Sequence, residues 1–200
     1  MTILYEVGAN LYVNLTNKCP CNCTFCIRHN GDGAYGSESL WLEREPTVDE
    51  VKAKFKKYDM SKYKEVVFCG YGEPMERADA VIKLGAFVKE KYGSAVRLNT
   101  NGLGDKINSV PTAKLLVGSV DIASVSLNSY CRDKYNEVTR PRVDWEDAFD
   151  SMISFAADCK KYLPQVVFTV VDVIPPEDIS RCKALAMSLG IPLRVRTYDS

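Results

Sequence analysis

Four cysteines fall within eight residues, Cys19-Pro20-Cys21-Asn22-Cys23-Thr24-Phe25-Cys26. The chain holds eight cysteines in 200 residues, so such a window would contain roughly 0.3 by chance. Cys19, Cys23 and Cys26 have the spacing C-x3-C-x2-C. Three thiolates on one short loop can hold three corners of a four-iron cubane. The fourth iron is then open to another ligand, which is what separates a catalytic metal centre from a closed structural one. A closed site would need Cys21 as a fourth ligand across the Pro-restricted C-P-C step. Zinc sites ordinarily come as two separated cysteine pairs, and no second pair follows here. The expected ligands are therefore Cys19, Cys23 and Cys26. A non-catalytic iron–sulfur electron carrier or sensor is the alternative, and a zinc-binding interaction module the third reading.

A second motif is Phe68-Cys69-Gly70-Tyr71-Gly72-Glu73-Pro74. Gly70 and Gly72, at a strand end, let backbone groups approach a ligand closely. Glu73 offers a carboxylate to accept hydrogen bonds, and Pro74 opens a helix. An ordinary glycine-rich turn is the plain alternative, and the cysteine loop one strand earlier favours the functional reading.

The elements that must position these residues alternate between strand and helix. Apolar, β-branched runs at 11–15, 66–69, 96–98, 122–127, 166–173 and 193–195 read as six strands. A further short strand at 3–7 is expected to pair back through Gly8-Ala9-Asn10. Thr47 and Glu50 have the form of a capping box, ahead of Val48, Val51, Phe55 and Tyr58 on one helix face. A second helix follows Pro74, with Val81, Gly85, Val88 and Tyr92 inward and Gly93 as its stop. Asp144 opens a third, where Trp145, Phe149, Met152, Ala156 and Cys159 share a face. A fourth runs from Pro176 to Gly190 through Ile179, Cys182, Ala186 and Leu189. The stretch 103–118 is expected to hold only a short helix, and 27–46 a long loop of the kind that forms lids.

Alternation of this kind gives a parallel α/β sheet with right-handed crossovers. Six units are too few for a closed eight-stranded barrel. The cysteine loop, Glu73, Asn99-Thr100-Asn101, Ser126 and Asn128 all follow or end strands. A barrel-like sheet brings such positions to one rim, whereas a doubly wound sheet gathers only those near its switch point. The expected fold is a partial (β/α)6 TIM-type barrel, residues 1–200 forming one domain with no cysteine-rich tail for a second cluster.

On these residues the sequence resembles the radical S-adenosylmethionine (SAM) enzymes. The C-x3-C-x-Φ-C loop has Phe25 at its aromatic position, and Tyr71-Gly72-Glu73-Pro74 is similar to the family's GGEP motif with Tyr for the first Gly. The segments from Arg97 to Gly102 and from Val125 to Asn128 resemble its third- and fourth-strand segments. Cys26-Ile-Arg-His-Asn-Gly-Asp-Gly33 and Leu40-Trp-Leu-Glu-Arg-Glu-Pro46 are similar to the TatD-associated radical SAM proteins. The resemblance implies a radical SAM core holding a [4Fe–4S] cluster and SAM. It implies reductive cleavage of SAM to a 5′-deoxyadenosyl radical that takes hydrogen from a substrate. It places Gly70, Tyr71, Gly72, Glu73 and Pro74 at the SAM amino group. Asn99, Thr100, Asn101, Ser126 and Asn128 become candidates for the ribose and carboxylate, and Phe25 for the adenine. The implied partners are an electron donor such as flavodoxin or ferredoxin, and a TatD-type hydrolase or a protein substrate.

Composition limits the alternatives. Apolar content of 46% and charged content of 26% are those of a globular protein. A net charge of zero removes any general electrostatic reason to bind nucleic acid. Lys52, Lys54, Lys56, Lys57, Lys62 and Lys64 read as a solvated helix face. Residues 1–6 carry no basic leader and no run is long enough to span a membrane, so a cytoplasmic location with reduced cysteines is expected. Gly31-x-Gly33-x-x-Gly36 follows no strand and opens no clear helix, which argues against a dinucleotide fingerprint. His29 is the only histidine and reads as a loop residue. Cys159 and Cys182 read as core. Cys69 and Cys131 fall near the expected rim and leave a substrate or redox role open.

Overall fold

A computed structural model describes residues 1–198; Asp199 and Ser200, the end of the expected domain, lie outside the described residues. Seven strands form one sheet in strictly sequential order: β1 (Leu4–Val7), β2 (Asn10–Val13), β3 (Glu65–Phe68), β4 (Ala95–Thr100), β5 (Ile122–Ser126), β6 (Gln165–Val171) and β7 (Leu193–Arg196). β1 and β2 form an antiparallel hairpin, and every later pair is parallel. The hairpin turn is Gly8-Ala9, with Gly8 at φ 57°, the hand that joins antiparallel strands. A doubly wound sheet reverses its strand order at a switch point. This order never reverses, which is the barrel-type path. Among the described residues β1 and β7 do not pair, so the barrel is partial.

The helices that connect the parallel strands cover one face of the sheet. They are α1 (Val48–Phe55), α2 (Ala78–Tyr92), α3 (Gly104–Asn108), α4 (Arg132–Thr139), α5 (Ala148–Tyr162) and α6 (Pro176–Ser188). On that face Val66, Phe68, Val96, Leu98, Ala123, Val125, Phe168 and Val170 are all buried. They meet Val51 and Phe55 of α1, Val81, Leu84 and Val88 of α2, Met152, Phe155, Ala156 and Cys159 of α5, and Cys182 and Ala186 of α6. Each large apolar side chain buried there contributes about 1.5–3 kcal/mol. The capping box forms as expected: Glu50 N–H donates to Thr47 Oγ1 and Thr47 N–H to the Glu50 carboxylate. Gly93, at φ 64°, ends α2.

Two helices differ from expectation. The third expected helix begins at Ala148, not Asp144: two successive turns occupy 142–148, closed by Trp145 N–H to Arg142 O (2.9 Å) and Ala148 N–H to Trp145 O (3.0 Å). α4 has no apolar repeat in the sequence and only Tyr135 and Thr139 of its residues are buried. It is held by tertiary packing rather than by an amphipathic stripe. Leu103 to Gly118 contains α3 and a 3₁₀ turn over Ala113–Leu116.

Candidate functional site

The cysteine loop leaves the C-terminal end of β2, and α4 is its backing. Asn22 N–H donates to the carbonyls of Thr139 and Arg140, and Thr24 N–H to that of Val138. Cys21 forms an isolated bridge with Pro141. Arg140, at φ 45°, turns the chain out of α4 into these contacts. Tyr135, 1% exposed, lies beneath the loop, where Cys21 and Cys23 are its near neighbours.

The Tyr71-Gly72-Glu73-Pro74 turn packs flush against the other side of the loop's stem. A side chain at Gly70 would collide with Asn14, and one at Gly72 with the carbonyls of Thr16 and Lys18. Glu73 N–H donates to Lys18 O at 2.8 Å. The two glycines thus allow close approach of backbone to backbone, the first use of their missing Cβ. Glu73 itself is 4% exposed and points back toward β4. Its Oε1 accepts from Thr100 Oγ1 (2.7 Å) and Met75 N (3.0 Å), and its Oε2 accepts from Asn101 N (2.7 Å). Burial pushes its carboxyl up to about 8, against the pull of those hydrogen bonds. Three donors occupy the carboxylate, so it ties the β3 and β4 exits together.

Cys19, Cys21, Cys23 and Cys26 line one cavity of about 210 Å³, together with Phe25, Gly70, Tyr71, Asn101, Ser126 and Asn128. Those are six of the eleven expected cofactor-binding residues. Gly72, Glu73, Pro74, Asn99 and Thr100 do not line it and stand one layer behind. Asn99 hydrogen-bonds with the Cys69 thiol, while its Oδ1 is buried without a partner. Asn128 adopts φ 55° at 7% exposure, a left-handed conformation that asparagine tolerates better than other side chains. Tyr71, which replaces the first glycine of the motif, donates its hydroxyl to Gly31 O at 2.7 Å and packs edge-on against Trp41.

The segment 27–46 is the long loop expected, and it folds over the cavity. Asn14 Nδ2 donates to Leu40 O (2.7 Å), Asn17 Nδ2 to Leu42 O (2.7 Å), and Leu42 N–H to Asn17 Oδ1 (3.0 Å). Leu40 and Ala34 pack with Tyr5 and Tyr71. On the far side Arg196 donates to Tyr35 Oη (3.1 Å), and Asn30 Nδ2 to Tyr198 Oη (2.9 Å). The loop therefore bridges the rim from β1 to β7, across the side the sheet leaves open.

Several contributors to the site carry no sequence motif. Arg28 donates Nε to Cys26 Sγ at 3.3 Å and reaches the carbonyls of Asn17 and Cys21. A cation two residues past the last cysteine is the one signal that could have marked it. Cys21, 5% exposed, hydrogen-bonds with Cys19 and Cys23, and Asn101 Nδ2 lies 3.8 Å from its sulfur. Those contacts and burial raise the Cys21 thiol, while the bond from Cys21, with help from Arg28, lowers Cys19 to about 7. Cys69 lines the cavity; Cys131 does not, and sits at the start of α4 near Cys182. Cys159 and Cys182 are core, their thiols raised to about 12 by burial. His29 is exposed.

The donor set suits an iron–sulfur cluster: four soft sulfurs line a single cavity, a guanidinium lies beside one of them, and Asn101, Ser126, Asn128 and Arg196 share the lining. Among the described residues no three histidine, cysteine or carboxylate side chains converge on one point as a single metal ion requires. Among the described residues no helix is long and apolar enough to cross a membrane.

The Radical SAM superfamily model matches residues 13–187. A Methanocaldococcus jannaschii protein provisionally named a glycyl-radical enzyme activating enzyme is 29% identical over 162 residues, 80% of this chain and 55% of its own length. The dual-specificity RNA methyltransferase RlmN of Nautilia profundicola is 24% identical over 203 residues, 95% of this chain and 53% of its own. The chain thus spans about half the length of the curated relatives it matches. Streptococcus suis SuiB, solved with S-adenosylmethionine, superposes with a TM-score of 0.70 at 17% identity, over 96% of this chain and 41% of that one. The match over 13–187 and the sequential partial barrel agree, and the chain belongs to the radical SAM superfamily, whose chemistry runs on a [4Fe–4S] cluster and S-adenosylmethionine.

Proposed function

We propose that Cys19, Cys23 and Cys26 hold the cluster, and that SAM bound at its open iron is used to abstract hydrogen from a small substrate at the concave face of the sheet. When bound, the two cofactors supply the radical; the protein supplies orientation and exclusion of water. The observation that carries this reading is the single cavity shared by the cysteine sulfurs, Phe25, Asn101, Ser126 and Asn128. Phe25 is the flat apolar wall for adenine. Asn101, Ser126 and Asn128 are the polar partners for ribose and carboxylate. Glu73, through Asn101 and the 3₁₀ turn over Pro74–Arg77, positions rather than touches, with Thr100, Asn99, Gly72 and Pro74 in the same supporting layer. Residues 1–200 act as one domain in this scheme.

The lid favours a small substrate, since Tyr71, Tyr35 and Asn30 tie it down on both sides. The activating-enzyme relative favours a second reading, hydrogen abstraction from a protein. The likeness to TatD-associated proteins, with a TatD-type hydrolase as partner, rests on Cys26 to Gly33 and Leu40 to Pro46 alone. Electrons would enter from the outer side of the cysteine loop. There Lys18, Arg28, Lys106 and Arg142 surround Cys19, Pro20 and Trp145, with Glu76 in the same cleft. Lys18, Lys106 and Arg142 are ion-paired with Glu45, Asp147 and Asp144, so an acidic donor such as flavodoxin or ferredoxin would dock here by competing for those cations.

The test is anaerobic reconstitution with iron, sulfide and 5′-deoxyadenosine assays. Wild type should bind about four irons. Cys19→Ala, Cys23→Ala and Cys26→Ala should each lose most of the iron and all 5′-deoxyadenosine formation, and Cys21→Ala should keep both. Loss of the cluster in Cys21→Ala, with any of the other three replaceable, would overturn the ligand set.

A further inference from the structure

Three arginines face inward from the sheet, beside the cavity. Parallel register pairs Arg97 with Val67 and Ile122, Arg194 with Thr169, and Arg196 with Val171. Residues in register share a face, and these positions alternate with Val96, Leu98 and Phe168, which pack on the helices. Arg97 is 11% exposed at its side chain, pairs with Glu65 at 3.2 Å, and has a buried Nε without a partner. Arg196 lines the cavity. Arg194, exposed at the sheet edge, forms no ion pair among the described residues. Tyr12 and Cys69 both lie within the field of Arg97 and Arg196, so the cations surround one region. Although Arg194 is exposed at its outer side, partial desolvation, then the charges of Arg97 and Arg196, hold its guanidinium below its ordinary value.

Among the described residues Glu65 is the only carboxylate ion-paired with any of the three. The balance is near +2 on a concave surface. Clustered like charges and an unpaired buried guanidinium N–H are both unfavourable unless an anion completes them. The three guanidiniums serve neither the cysteine loop nor the Glu73 turn, although Arg196 also donates to Tyr35 of the lid.

We propose that this face binds the phosphate group of a phosphorylated substrate, held by Arg97, Arg194 and Arg196. A phosphate monoester carries about −1.5 to −2 charge and three strong acceptor oxygens, which matches the excess charge and the number of forks. A carboxylate offers half the charge and two oxygens. The inference deepens the radical SAM reading by naming the substrate class, and it rests on that reading only for what then happens to the substrate.

The experiment is calorimetric titration of inorganic phosphate, and separately acetate, into anaerobically reconstituted protein. SAM is present to fill its own site, and ionic strength is about 0.15 M. Phosphate should bind saturably, acetate at least tenfold more weakly. Arg97→Gln also strands Glu65 and so disturbs the fold, so Arg194→Gln at the exposed edge is the deciding variant. It should weaken phosphate binding about tenfold, the loss of one charge-assisted hydrogen bond. No saturable phosphate binding, equal binding of acetate, or an unchanged Arg194→Gln would each overturn the proposal. The two readings fail separately. Formation of 5′-deoxyadenosine without phosphate binding removes the substrate class alone. Phosphate binding without iron or 5′-deoxyadenosine removes the radical chemistry alone.

Discussion

The two faces of the sheet obey different rules. The helix side is a continuous apolar layer of Val66, Phe68, Val96, Leu98, Val125 and Phe168, every one buried. The concave side carries Tyr12, Arg97, Asn99, Ser124, Ser126, Thr169, Arg194 and Arg196 at the alternate positions, interspersed with Val67, Ile122, Val167 and Val171. A closed eight-stranded barrel fills its interior with branched apolar side chains. A partial one has no opposite wall to meet them, so its interior is free to be polar and to hold ligands. Stability is concentrated on one face and chemistry on the other, within the same strands.

The largest expected effect tests the apolar face. Phe168→Ala should cost about 3–5 kcal/mol of unfolding free energy, because it empties a fully packed site between β6 and the helices. Denaturant titration of the reconstituted protein reads this directly. A cost below about 1 kcal/mol would mean the stability does not reside where the packing puts it.

Glu73 joins the two sides, and its replacement should have an intermediate effect. Glu73→Gln turns an acceptor into an amide N–H facing either the Asn101 N–H or the Thr100 and Met75 donors. Above about pH 8, where the carboxyl is ionised, it should lower stability by about 1–3 kcal/mol, the cost of a buried donor left unpaired, and by less at lower pH, where the protonated acid already carries a donor. SAM affinity should fall with it, through displacement of Asn101. A variant as stable as wild type but with weakened SAM binding would give Glu73 a direct contact with SAM in place of the positioning role.

The smallest effect lies on the concave side. Tyr71→Phe keeps the ring against Trp41 and removes one hydrogen bond, to Gly31. Global stability should change by about 1 kcal/mol or less. Hydrogen exchange should instead rise selectively over residues 27–46, because the loop loses its tie on one side. Uniform exchange across the chain would show that the lid and the core open as one unit.

Much of this was legible in one dimension. The cysteine spacing needs only short-range order, because three ligands on one loop reach a common point without help from distant chain. The strands were legible because their helix-side residues are apolar, and the capping box because its two hydrogen bonds span three residues. Sequential units too few to close a barrel, with polar residues at their ends, already implied the partial form.

Other features depend on contacts that sequence spacing does not encode. α4 is polar on most of its surface and owes its place to Tyr135 and to the carbonyls it offers Asn22 and Thr24, more than a hundred residues earlier. Gly72 looks like a ligand-facing glycine until the stem of the cysteine loop is laid against it. Glu73 looks like a free acceptor until Thr100 and Asn101 arrive from the next strand. Arg97, Arg194 and Arg196 are scattered in the chain and become one cationic surface only when β4 and β7 curve toward each other. Local chemistry follows from residue order, because its partners are chain neighbours. Which acceptors are already taken, and which charges face each other, follows only from the curvature of the sheet and the path of the loop above it.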